Sequence, residues 1–228
     1  MKPLASFIIP VKNGQAYLAE CLESCLAQTD KRWEAIIVND GSTDTTPFLI
    51  DLYEKKDNRF RSIHAGACRG RSVSRNAGME MAESDIVLVL DADDMATPNR
   101  VGDTLRFFKK NPRVSILYGQ FTVIDAFGVN LGHQEVIPFD WENVCRTKLF
   151  YIGHSTMAVR RNVLKKVQYT DGPYSENAID DWKFQADAYK AGFKFLGVPR
   201  LFAKYRWIPK QRDEKAILEL KEKCLGLK

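Results

Sequence analysis

Residues 86–94 read IVLVLDADD, an apolar run that ends in three carboxylates, Asp91, Asp93 and Asp94, within four positions. A short apolar run bounded by polar turn residues fits a buried strand, and the stretches around it have the same form. SFIIPV (6–11), EAIIVND (34–40), FRSIH (60–64) and VSILYG (114–119) read as further strands. Between them lie segments with helical spacing, over about 16–27, from Asp44 with Pro47 in the first turn, over 71–82, and from Thr97-Pro98 to about Lys109. Strands alternating with helices over short connections imply right-handed crossovers and a mostly parallel sheet covered on both faces. Near-continuous apolar strands agree, because both faces of such a sheet are buried.

After Gly119 the pattern loosens. QFTVIDAFG (120–128) reads as one arm of a hairpin, HSTMAVRR (154–161) as another strand, and a helix runs from Asp180 to a stop at Gly192. The tail from Gln211 to Leu225 is amphipathic, with Ile217, Leu218, Leu220 and Cys224 among charged residues. Such a helix packs on its own domain in the commoner case and docks on a membrane or partner in the rarer one.

Composition bounds the answer. The chain has 228 residues, 45% hydrophobic and 28% charged, enough for one large domain. No apolar run is long enough to span a bilayer, and the N-terminal apolar stretch is too short for a signal peptide. Five cysteines without zinc or redox spacing, and no export signal, point to the cytoplasm, with peripheral contact at the inner face of a membrane as a second option. A net charge of +5 without nucleic-acid motifs excludes a dedicated nucleic-acid partner.

In an open α/β sheet, ligands bind beyond the carboxyl ends of the strands, near the reversal of strand order. Two acidic stretches fall at such ends, Asn39-Asp40-Gly41-Ser42 and Asp91-Ala92-Asp93-Asp94. In extended chain Asp91 and Asp93 point the same way, and two ionised carboxylates so close call for a positive charge between them. A divalent cation, Mn²⁺ or Mg²⁺ by its preference for hard oxygen ligands, supplies it. Asp94 reads as a turn or cap residue.

IIPVKNG, VNDGSTDTT, GRSVSRNAGMEMA, LDADD and IDDWKF occur in order, and together they resemble the family 2 glycosyltransferases over residues 4–206. The resemblance implies the GT-A fold, with a small antiparallel extension on the acceptor side. Residues 1–210 would form one domain, 1–118 its nucleotide-sugar half and 119–210 its acceptor half, with 211–228 a C-terminal helix. It implies inverting transfer from a nucleotide sugar, a UDP-hexose above all, to a carbohydrate or lipid-linked acceptor in surface polysaccharide or lipopolysaccharide assembly.

By the same resemblance Asp40 would take a hydrogen bond from the base, Asp91 would reach ribose or metal, and Asp93 would bind the metal. Arg71 would lie near the phosphates, and Asp181 would act as the base. Pro10 and Lys12 stand where relatives carry a Pro-x-Tyr-Asn-like turn, so Lys12 would lie against the base or phosphates. Arg75 is open between a role near the phosphates and a buried ion pair. Asp180 is open between partner and helix cap, Trp182 between acceptor platform and core, and His154 between acceptor side and structure. Two other functions are weighed. A nucleotidyltransferase would want a Gly-rich basic loop that Pro10–Gly14 does not offer, and a degenerate nucleotide-sugar-binding module is at odds with the intact carboxylates.

Overall fold

The computed structural model describes residues 2–148, 152–209 and 214–226. The first half alternates as its sequence demands: β1 (Ala5–Val11), α1 (Leu18–Leu26), β2 (Trp33–Asn39), α2 (Thr46–Lys56), β3 (Phe60–His64), α3 (Arg71–Met81), β4 (Ile86–Val89), a two-residue β5 (Met95–Ala96) and α4 (Arg100–Lys110). The second half holds β6 (Ile116–Ile124), β7 (Asn130–Gln134), α5 (Trp141–Thr147), β8 (Ala158–Arg160), α6 (Arg161–Leu164), α7 (Pro173–Glu176), α8 (Asp180–Lys190), β9 (Phe195–Arg206) and α9 (Glu214–Leu225).

All nine strands join one sheet in the order β3-β2-β1-β4-β8-β6-β9-β5, with β7 added to β6. Strands β3, β2, β1 and β4 are parallel. Antiparallel β8 then joins β4 to β6, and β6 runs parallel to β9. Order reverses at β1, which lies between β2 and β4, so the crest beyond β1 is where a ligand crevice opens.

Alternation along β1 divides the core. Phe7 and Ile9 pack on one face with Leu18 and Leu22 of α1, Ile50 of α2, and Val101 and Phe108 of α4. Ile8 points to the other face, with Met79 of α3 and Phe184 and Ala188 of α8. Helices therefore cover both faces, as continuous apolar strands require.

Three departures concern the second half. Strand β6 runs unbroken from Ile116 to Ile124, so the division at 118/119 falls inside a strand and does not separate two structural halves. The hairpin partner of β6 is β7, while HSTMAVRR is a single 3₁₀ turn (His154–Thr156) followed by the short β8. Strand β9 has no counterpart among the sequence-derived elements, because Pro199 interrupts its apolar run. The pairing explains how the proline is accommodated: Gly119 faces Val198 and Gln120 faces Leu201, leaving Pro199 and Arg200 in a bulge.

Helix α9 packs against α8 and α5, with Cys224 and Leu225 buried beside Val144, Ile179, Trp182 and Ala186. The commoner reading of the amphipathic tail is the observed one, over 214–225; residues 211–213 lie outside the described residues. Among the described residues no helix is long and apolar enough to cross a membrane.

Candidate active site

A cleft of about 1000 Å³ opens over the carboxyl ends of β1, β2 and β4. Pro10 and Lys12 line it from the end of β1, Asp40 from β2, and Arg71 and Arg75 from α3. The turn after β4 contributes Asp91 and Asp93, the 3₁₀ turn His154, and the start of α8 both Asp180 and Asp181. Of the residues named here, Pro10 and Asp181, 171 positions apart in the chain, thus face one space.

Asp40 is buried, and its carboxylate ties the loop before α3 to β2. Oδ1 accepts from the Arg69 amide at 2.7 Å, and Oδ2 from the Gly70 amide at 3.0 Å and the Cys68 thiol at 3.3 Å. The same loop presses on Gly41, which has φ +68°, and a Cβ there would sit 2.8 Å from the Cys68 nitrogen. Only glycine fits a left-handed turn under so close a backbone. Asn13 joins the β1 and β2 loops: its amide donates to Ser42 Oγ and its Oδ1 accepts from the Thr43 amide, each at 2.9 Å.

The acidic stretch is a turn and not an extended strand end, since the Asp94 amide donates to the Asp91 carbonyl at 3.0 Å. Part of its charge is met by the protein itself, at Asp91. The Arg75 guanidinium donates to Asp91 Oδ1 at 2.8 Å, and His154 Nδ1 lies 3.5 Å from Asp91 Oδ2. Burial would raise the Asp91 carboxyl, but Arg75 and His154 outweigh it and hold the group well below the usual carboxylate range. Asp94 is driven the other way, by burial first and by Asp93 and Asp91 second, so its carboxyl is pushed well up. Its Oδ1 accepts from the Arg206 amide at 2.7 Å, a structural role in keeping with its reading as a turn residue.

Arg75 joins the acidic turn to α8. Its second nitrogen pairs with Asp180 Oδ2, and its guanidinium lies 5.3 Å from the Tyr169 ring centroid. The ion-pair reading of Arg75 is the observed one, at the cleft wall. Asp180 accepts also from Ser72 Oγ at 3.3 Å and makes no capping bond, so the cap reading of Asp180 is corrected. His154 Nε2 shares a 2.8 Å hydrogen bond with the Tyr169 hydroxyl.

Asp181, one residue into α8, faces the cleft half-buried, its Oδ1 accepting from the Trp182 amide at 2.7 Å. Burial raises its carboxyl, with Asp180 adding to the rise and His154 and Arg75 opposing it. A carboxylate moved toward neutrality is better suited to accept a proton. Two residues before Asp180, Ala178 has φ +54°, a strained geometry for alanine at the cleft wall.

Trp182 is not among the described residues that line the cleft. It is buried between α8, α5 and α9, with Lys221 Nζ 5.5 Å from its ring, so the acceptor-platform reading of Trp182 is corrected to core. Trp182→Phe is expected to cost about 1–2 kcal/mol of stability in a denaturant melt and to leave nucleotide binding unchanged.

Arg206 lies in the segment Tyr205-Arg206-Trp207, and no spacing in the sequence marks it as part of the site. It is buried and donates to the Asp93 carbonyl at 3.0 Å, to the Asp125 and Ala126 carbonyls at 3.1 and 3.0 Å, and to Glu20 at 2.8 Å. Its guanidinium also lies 4.4 Å from the Tyr17 ring centroid. Backbone carbonyls as partners leave no side-chain signature from which that clamp could be read.

A sheet of this order, reversed at β1 and carrying an acidic turn over the crest of β4, is the GT-A fold. The glycosyl transferase family 2 model matches residues 6–168, and the chain belongs to that family. It is 37% identical over 213 residues to TuaG of Bacillus subtilis (strain 168), provisionally named a teichuronic acid biosynthesis glycosyltransferase, covering 91% of this chain and 80% of that one. An uncharacterized glycosyltransferase of Haemophilus influenzae is 30% identical over 217 residues, covering 90% of this chain and 65% of the relative. Among solved structures, S. aureus TarS 1-349 in complex with UDP superposes with TM-score 0.75 at 20% identity, over all of this chain and 65% of TarS 1-349. The mannosyltransferase PcManGT of Pyrobaculum calidifontis, in complex with GDP-Man and Mn²⁺, superposes with TM-score 0.65 at 16% identity, over 92% of this chain and 59% of that one. The chain thus spans about two thirds or less of these structures.

Proposed function

We propose that the chain carries an inverting glycosyl transfer from a nucleotide sugar of the UDP-hexose type to an acceptor hydroxyl, in the assembly of a surface polysaccharide. The observation that carries this reading is that Asp181, a carboxylate shifted toward proton acceptance, lines the same cleft as the acidic turn, next in the chain to Asp180, which Arg75 bridges to Asp91. TarS bound to UDP and to UDP-GlcNAc supports the donor class, and the name of TuaG supports the polysaccharide.

In this reading the nucleoside lies over β2 and β1, with Asp40 and Pro10 beside the base. Asp40 keeps lone pairs for that contact while it holds the loop. Lys12 and Arg71, both exposed cations of the cleft, meet the diphosphate. Arg71 opens α3, so its helix N-terminus adds amide donors and a favourable dipole. Asp181 takes the proton from the acceptor hydroxyl as that oxygen attacks the anomeric carbon in line. No covalent intermediate is needed, and Asp180 and His154 act as partners that fix Arg75 and Asp91.

Carboxylate oxygens suit a hard divalent ion, and Asp93 with Asp91 would hold Mn²⁺ or Mg²⁺, with His154 beside Asp91. When bound, such an ion supplies positive charge beside the departing diphosphate.

Release of UDP from a panel of UDP-sugars with Mn²⁺ tests the assignment. Asp93→Ala is expected to lower that release on the order of 10- to 100-fold and to weaken Mn²⁺-dependent UDP binding. Unchanged activity and unchanged Mn²⁺ response in that variant would remove the metal from the reading.

A further inference from the structure

The crest of the sheet is a ruler. Asp40 stands at the end of β2, Pro10 and Lys12 at β1, and the acidic turn at β4; the 3₁₀ turn follows, and Phe121 of β6 and Tyr205 of β9 close the row. Strands lie roughly 4.8 Å apart, so these two aromatics are several strand widths from Asp40, on the far side of the acidic turn.

Phe121 and Tyr205 lie on neighbouring strands and meet edge to face, with centroids 5.7 Å apart and an interplanar angle of 63°. Both line the cleft. Gly153 fixes Phe121 there: a Cβ on Gly153 would sit 2.6 Å from Phe121 Cε1, so the backbone lies directly on the ring. The next residue, His154, reaches Asp91. Ring, backbone and acidic turn are thus continuous, and the aromatic pair cannot drift from the reacting end of the cleft without moving His154.

We infer that Phe121 and Tyr205 are the platform for the acceptor, and that the acceptor group lying on it is a pyranoside ring. The inference rests on the glycosyltransferase reading. In that reading the nucleobase lies at the β2 end, several strand widths from this pair. The C–H face of a pyranose packs on an aromatic face, while its hydroxyls need polar neighbours. The cleft offers both, for Asp181 and Glu176 line it along with the two rings.

The test uses the full chain with UDP and Mn²⁺ and reads saturation-transfer NMR on methyl pyranosides of glucose, galactose, mannose and N-acetylglucosamine, and on octyl β-D-glucopyranoside below micelle formation. Transfer to ring protons of at least one glycoside is expected. Tyr205→Leu and Phe121→Leu, which keep apolar bulk, should weaken it roughly three- to tenfold, and Tyr205→Phe should retain it. UDP-induced thermal shift should be the same in all of these proteins, which also shows that each is folded. Transfer confined to the octyl chain, transfer unaltered by both leucine variants, or no transfer while UDP binds would each overturn the platform alone. Failure of the unaltered chain to bind UDP would overturn the donor reading and the platform with it.

Discussion

Asp181→Asn is expected to lower the rate of sugar transfer by roughly 10²- to 10⁴-fold while leaving UDP binding in place, the range spanned by general-base catalysis. The amide has the shape of the carboxylate and can still accept from the Trp182 amide, which lies 2.7 Å from Oδ1. What it lacks is the ability to take a proton. The pH profile gives an independent readout. Burial raises the Asp181 carboxyl above the usual range, so the basic form is lost at a higher pH than for an exposed aspartate. Activity should therefore rise with pH through that raised value, and the acid limb should vanish from the residual rate of the asparagine variant. A variant with full transfer activity and an unshifted acid limb would remove Asp181 as the base.

Arg75→Met is expected to destabilise the fold by about 3–5 kcal/mol, because removing one partner of a buried ion pair leaves the other charge unmatched. In a chain of this size that corresponds to a fall in melting temperature of roughly 10 °C. Two carboxylates are orphaned, those of Asp91 and Asp180, and both border the cleft. Transfer should fall as well, even at temperatures where the variant is folded. Arg75→Lys should rescue only part of the loss, since a single ammonium cannot bridge two carboxylates with separate nitrogens. The sign of the pH effect follows from Asp91. Its folded-state carboxyl is held low, so its stabilisation is present above the unfolded value near 3.9 and is lost as pH falls through the folded one. Without Arg75 the burial effect dominates, and acid unfolding should begin at a higher pH than in the unaltered chain. Equal melting curves across pH 3–7 for the two proteins would contradict that account.

Much of this was legible from residue patterns. Strands that are buried on both faces are continuous apolar runs, so β1, β2, β3 and β4 stood out, and with them the crest on which Asp40 and Asp91 sit. The residues singled out there line one cleft because a parallel sheet brings every carboxyl end to the same edge. Beyond Gly119 the local signals fail. Strand β9 carries a proline in a bulge, β7 is exposed along most of its length, and β8 is three residues long. Their existence depends on partners distant in the chain, and no local propensity encodes those. The partners of the acidic turn were hidden for the same reason: a buried ion pair was one of the two readings open for Arg75, but only tertiary packing sets it against Asp91 and Asp180. Trp182 followed the periodicity of α8 into the core, and a single sequence does not say which face of that helix is covered by α9.

Arg206 gives the acidic turn a dependence on the order of synthesis. The turn's Asp93 carbonyl and Asp94 Oδ1 accept from the guanidinium and the backbone amide of a residue 113 and 112 positions later, and the same guanidinium reaches back 186 positions to Glu20. While the chain is emerging from the ribosome, β1 to β4 can pair well before β9 exists, but their acidic crest is left with unmatched polar groups. The acidic turn is therefore translated early and is among the last parts of the crest to become ordered. Nascent chains halted before residue 206 should show protease-sensitive turns at 91–94 beside an already protected β1–β2 pair.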